Sequence, residues 1–115
     1  MKLSSISVLA ALSLALVAAS SAAASSSAST TVRVKATDFK FALSTKTVKH
    51  GPITFVLRNA SAAVHNFAIA GHTTKSIGPG KTTRLTVTLK RGRYPYKCTV
   101  DSHAELGMKG VLRVT

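Results

Sequence analysis

The sequence predicts an all-β protein, an antiparallel Greek-key β-sandwich of about seven or eight short strands. Three observations carry this. Apolar and polar residues alternate from Thr31 onward, with Val32, Val34 and Ala36 set against Arg33, Lys35 and Thr37, the pattern of half-buried strands. Glycine and proline interrupt the chain at short intervals, at Gly51-Pro52, Gly71, Gly78-Pro79-Gly80 and Gly92. Helical periodicity is absent apart from a single turn at Ser102 to Leu106.

The elements follow in order. The alternation that starts at Val32 continues past Asp38 through Phe39, Phe41 and Leu43. Lys46 to Pro52 reads as a connection with Gly51-Pro52 as its turn. Ile53, Phe55 and Leu57 form the next inward row, with Thr54 and Arg58 facing out. Small residues from Asn59 to Ala63 make a bend, and His65, Phe67 and Ile69 then share one face. A short run, Lys75-Ser76-Ile77, lies between two glycine turns. Thr82 to Leu89 is the clearest strand, with Leu85, Val87 and Leu89 inward. Tyr94, Tyr96 and Cys98 form another same-face row, and Val111 to Thr115 closes the sheet.

The chain starts as a secretory signal does. Lys2 supplies the positive region, Ile6 to Ala19 the apolar run and Ala22-Ala23-Ala24 a small-residue cleavage pattern. The apolar run is shorter than the roughly 20 residues a spanning helix needs. The expected organisation is a signal peptide over residues 1–24, a disordered Ser-rich lead over residues 25–30 and one domain over residues 31–115. The expected location is periplasmic or extracellular, with no transmembrane span in the mature form, which is read as a monomer. Removing the signal leaves about 91 residues, enough for one small domain. A single cysteine forms no internal disulfide, so a metal bound only by the folded state would supply stability that bridges otherwise provide.

Sixteen Lys and Arg stand against three Asp and Glu, a formal charge of +13. The cations are scattered along the strands rather than clustered with aromatics, which argues against nucleic acid as a partner. They form either a solvated surface or a field that steers an acidic redox partner or meets an anionic surface.

The chemistry concentrates in Tyr96-Lys97-Cys98 and the loop that follows. His103 and Met108 come after Cys98 at equal steps of five, so one compact loop can bring all three to a point. His65 is the candidate for a fourth donor. Thiolate, two imidazoles and a thioether form a soft mixed set suited to copper. Each residue alone has a plainer role: Cys98 as a small buried hydrophobe, Met108 as core filler and His65 as a rim histidine. His50 and His72 sit beside glycines and read as surface residues, His72 with a weak capacity to substitute as a ligand.

With these residues in place, the sequence resembles the cupredoxins, the plastocyanin- and azurin-like small blue copper proteins. Val64-His65-Asn66-Phe67 is similar to the family segment that carries the first ligand. Tyr96-Lys97-Cys98, His103 and Gly107-Met108-Lys109-Gly110 match the remaining three in order and character. The resemblance implies a cupredoxin-like sandwich and one copper ion held by His65, Cys98, His103 and Met108. It also implies that Asn66 positions the Cys98 sulfur through its backbone. Many relatives with this loop length carry Pro-Gly before the second histidine, where this chain has Asp101-Ser102. An immunoglobulin-type sandwich is the rival fold, but its second cysteine and its tryptophan are absent.

The function implied is one-electron transport between redox partners through Cu(I)/Cu(II) cycling. The alternative is copper storage or delivery, and the plainest is an adhesion domain. Catalysis is not expected: Asp38, Asp101 and Glu105 form no evident carboxylate pair, and no nucleophile has an identifiable base.

Overall fold

The structure, a computed structural model, describes residues 2, 11, 13–17 and 29–115. The proposed signal peptide and Ser-rich lead fall mostly outside the described residues. Nine strands run along the chain among them: β1 (Thr30–Thr37), β2 (Lys40–Leu43), β3 (Thr47–Val48), β4 (Gly51–Asn59), β5 (Ala68–Ile69), β6 (His72–Thr73), β7 (Thr82–Leu89), β8 (Gly92–Lys97) and β9 (Lys109–Val114). The all-β sandwich is as expected. β3 and β6 are two residues each, too short to leave a periodic signal, and they account for the higher strand count.

One sheet has the order β2-β1-β4-β7 and the other β3-β9-β8-β5-β6. Most neighbours are antiparallel, but β1 pairs β4 in parallel and β3 pairs β9 in parallel. Parallel neighbours need a long connection. Residues 38–50 provide it, forming β2, crossing to the second sheet as β3 and returning to lie beside β1. Alternation fixes which face a residue takes but not the direction of its strand. Gly51 and Pro52, expected as a turn, instead begin β4 opposite Leu89 and Thr88, where proline at a strand start is tolerated.

The alternating residues meet between the sheets. Val32, Ile53, Phe55, Leu57, Phe67 and Leu112 are fully buried, each worth about 1.5–3 kcal/mol of transfer free energy. Phe67 is the hub of an aromatic cluster, with its ring centroid 5.1 Å from Phe55, 5.4 Å from Phe41 and 5.4 Å from Tyr96. Tyr94 donates its hydroxyl hydrogen to the Lys90 carbonyl at 2.8 Å, closing the turn into β8.

The Tyr96 ring lies directly over Gly110, its partner across the β8–β9 ladder. A Cβ at that position would run into the ring, so only glycine fits. Gly110→Ala is expected to destabilise the fold by about 1–3 kcal/mol through overpacking, read as a lower urea midpoint with an unchanged slope. Replacing Tyr96 by leucine in the same chain should recover part of that loss.

Candidate metal centre

The first part of the site is built by the bend after β4. Asn59 is fully buried, and its amide organises the turn. It donates to the Ala63 and Ile77 carbonyls at 2.7 and 2.9 Å and accepts from the Ser61 amide and hydroxyl at 3.0 and 2.7 Å. His65 then exchanges backbone hydrogen bonds with Ile77, at 3.1 and 2.8 Å. The imidazole that follows is fully buried.

The second part is the loop between β8 and β9. His103 N–H donates to Val100 O, Leu106 N–H to Ser102 O and Gly107 N–H to Ala104 O, at 3.1, 3.2 and 3.1 Å. This is the single turn expected from the sequence. Met108 N–H then donates to His103 O at 3.1 Å, and Cys98 N–H donates to Met108 O at 3.0 Å. The loop closes on itself, so the spacing of five brings Cys98, His103 and Met108 to one end of the sandwich. Gly107 has φ 117°, a conformation in which a side chain would be strained.

Asn66 joins the two parts. Its side-chain Nδ2–H donates to Thr99 Oγ1 at 2.7 Å, and Thr99 N–H donates to Asn66 Oδ1 at 2.8 Å. The resemblance implied a role through the Asn66 backbone; this clamp is made by its side chain and acts on the residue after Cys98.

The result is a buried group of three donors. Sγ of Cys98, one ring nitrogen of His65 and one of His103 all lie within 4.8 Å of one another. His103 Nδ1 is 3.7 Å from Sγ and His65 Nδ1 is 4.0 Å from it. A transition metal with bonds of about 2.3 Å to sulfur and about 2.0 Å to nitrogen at trigonal angles separates those atoms by about 3.7 Å. The two sulfur–nitrogen separations are close to that value, so Cys98, His65 and His103 could hold one metal ion between them. Met108 is fully buried, and its backbone is bonded to both Cys98 and His103. His72 lies exposed on β6 and His50 bonds the chain end through Thr115 O at 3.0 Å; neither joins the group.

Burial drives the His65 pKa below the ordinary histidine range; the hydrogen bond to Asp38 opposes that shift and the nearby His103 adds to it. The ring is thus neutral at pH 7, the form in which an imidazole can bind a metal. Two further residues come from the Asp38-Phe39 turn that joins β1 to β2. Asp38 Oδ1 lies 3.4 Å from His65 Nε2, and the Phe39 ring centroid lies 4.9 Å from His103 and 6.4 Å from His65. In the sequence both looked like continuing alternation. An Asp at a would-be strand position was the available sign of a turn.

Two outcomes are expected here. The metal-free protein should lose stability as pH falls below about 6.5, because the unfolded histidine takes a proton there and buried His65 resists it. His65→Gln should flatten that part of a urea-midpoint profile recorded from pH 8 to pH 5. Asp101 has φ 43°, a left-handed value that Asp tolerates and proline cannot adopt. Asp101→Gly should therefore keep metal affinity, whereas Asp101→Pro should lower it by disrupting the loop; equal affinities by competition titration would contradict this.

Comparison with known proteins agrees with this architecture. A family described as "Cupredoxin-like domain" matches residues 8–114. No curated protein matches the chain. Among solved structures, a dithionite-reduced auracyanin from the photosynthetic bacterium Roseiflexus castenholzii is 28% identical, with 76% of this chain and 98% of that chain covered and a TM-score of 0.66. Auracyanin A, a "blue" copper protein from the green thermophilic bacterium Chloroflexus aurantiacus, shares the fold at 21% identity, with 76% and 100% of the two chains covered and a TM-score of 0.65. Auracyanin B does so at 20% identity, with coverage of 75% and 88% and a TM-score of 0.67. The domain match spans nearly the whole chain, and the fold agrees with it: the protein belongs to the cupredoxin family.

Proposed function

We propose that the protein is an exported type 1 copper protein that carries single electrons between redox partners, with His65, Cys98, His103 and Met108 as the copper ligands. The convergence of the Cys98 sulfur with two imidazole nitrogens in a buried pocket carries this reading. When bound, copper supplies a one-electron Cu(I)/Cu(II) couple. The chain's contribution is rigidity: His65 is held by Ile77, Cys98 by Met108 and the two segments by the Asn66–Thr99 clamp. Ligands that do not move between oxidation states keep the reorganisation for electron transfer small. Met108, fully buried beside them in the loop, would add a thioether donor that tunes the potential.

His103 is nearest the surface among the three clustered donors, at 9% exposure, and Leu106 beside it is 61% exposed. This edge is the proposed electron port. The loop over it carries Asp101 and Glu105 and no cation. Cations lie instead at its base, on the outer face of β8 and β9. There Lys97 faces Lys109 and Arg93 faces Arg113 across the ladder, with Pro95 and Val111 between them. Like charges directly opposed are unfavourable in an isolated sheet. They suit docking of an acidic redox protein, with steering that weakens as salt rises.

Storage or delivery of copper would call for exchangeable donors, and burial of all three clustered donors argues for retention. Export rests on the Lys2, Ile6–Ala19 and Ala22-Ala23-Ala24 pattern. The described residues Leu14, Leu16 and Val17 within it are over 80% exposed, outside the core. Among the described residues no helix is long and apolar enough to cross a membrane.

One equivalent of Cu(II) added to the purified domain should give an intense visible thiolate-to-copper band that reductant bleaches and oxidant restores. Cys98→Ser should abolish the band, while Met108→Gln should retain copper with a shifted potential. A colourless product from the unaltered domain, or an undiminished band in Cys98→Ser, would overturn the ligand assignment.

A further inference from the structure

Asp38 stands apart from the other acids of the chain. It occupies the two-residue turn between β1 and β2, where Thr37 pairs Lys40. The parallel pairing of Ala36 with Asn59, together with the Ala60 N–H bond to Ala36 O at 2.9 Å, carries that turn to the bend leading into His65. The Asp38 side chain remains 45% exposed, while the imidazole it meets is fully buried. The contact joins a carboxylate oxygen to Nε2 at 3.4 Å, and Nδ1 of the same ring faces the Cys98 sulfur at 4.0 Å.

An imidazole with a carboxylate at one nitrogen carries its proton on that nitrogen. The other nitrogen then presents a lone pair. A carboxylate placed in this way orients the ring, fixes its tautomer and makes the free nitrogen a stronger donor. Its negative charge also favours the more highly charged state of anything bound beyond the ring.

We propose that Asp38 is a positioning residue for the metal centre: its carboxylate accepts the Nε2–H of His65, selects that tautomer, aims Nδ1 at Cys98 and lowers the reduction potential of bound copper. The part concerning potential rests on the copper reading above; the part concerning the tautomer does not. Asp101 and Glu105 are exposed loop acids among the described residues, and no bond from either to a ring of the site accompanies them. The carboxylate that matters for the centre is thus in the β1–β2 turn, not in the loop that carries three of the proposed ligands.

The test uses the full mature domain with Asp38→Ala, Asp38→Asn and Asp101→Asn. In the metal-free form at about pH 8, where histidines are neutral, nitrogen NMR should place the His65 proton on Nε2 in the unaltered chain. Asp38→Asn should keep it there, because the amide oxygen still accepts the bond, and Asp38→Ala should redistribute it. In the copper form, loss of a partner of this kind costs about 10–100-fold in affinity. Expressed on Cu(II) relative to Cu(I), that is a rise of about 60–120 mV for Asp38→Ala. Asp38→Asn should give a smaller rise, and Asp101→Asn less than either. A merely structural Asp38 would change the melting temperature and leave tautomer and potential in place, which would overturn the proposal. If Asp38→Ala does not fold, Asp38→Asn decides: an Nε2–H ring with a raised potential supports the assignment, and an unchanged potential refutes its electrostatic part. If no variant or parent forms a coloured copper complex, the copper reading fails. The tautomer comparison then still decides whether Asp38 positions His65.

Discussion

The centre depends on a join between two pieces of chain that lie 33 residues apart, one ending in His65 and the other in Cys98. The Asn66 amide makes that join by donating to Thr99 Oγ1 and accepting from Thr99 N–H. Both bonds are local to the donors: each partner is the immediate neighbour of one of them. A hydrogen bond of this sort contributes about 1 kcal/mol net to stability, a small part of the total. Its larger effect is geometric, because two bonds to one amide remove the rotation that a single bond would leave. The spacing of His65 and Cys98 is therefore set by the fold itself.

The same economy of polar groups recurs along the bend. Asn59 makes four hydrogen bonds to three residues with one amide, and no buried side-chain nitrogen or oxygen among the described residues lacks a partner. Buried polar groups that are fully bonded act as rigid fittings, whereas unbonded ones would cost about 1–3 kcal/mol each. Around these fittings the apolar faces of both sheets close, with Phe67 linking the aromatic core to the strand that enters the site. A free cysteine at the centre of a domain with no disulfide makes this packing the main source of order in the apo protein.

Charge is distributed with a direction. The three acids are all in connections at the end that holds Cys98 and His103, Asp38 in the β1–β2 turn and Asp101 and Glu105 in the β8–β9 loop, while the cations are spread over strands and the other connections. The consequence is a basic body with a locally acidic cap. A partner reaching the His103 edge meets a different field from one resting on the outer face of β8 and β9.

Much of this was legible in the residues. Strict alternation placed Val32, Phe55 and Val87 in the core because strand side chains have a period of two and one face must be buried. The steps from Cys98 to His103 to Met108 placed three candidate donors on one loop, since a loop that short cannot carry them far apart. His65 was found by parity with Phe67 and Ile69 and by the character of its neighbours. What the sequence left open follows from contacts between strand ends. The parallel pairing of β1 with β4, the turn hidden at Asp38-Phe39 and the left-handed backbone of Asp101 have no periodic signature. The identity of the carboxylate that meets His65 was likewise decided only by tertiary structure. Local pattern specifies which face a residue takes, and only the register of whole sheets determines which distant turn arrives beside it.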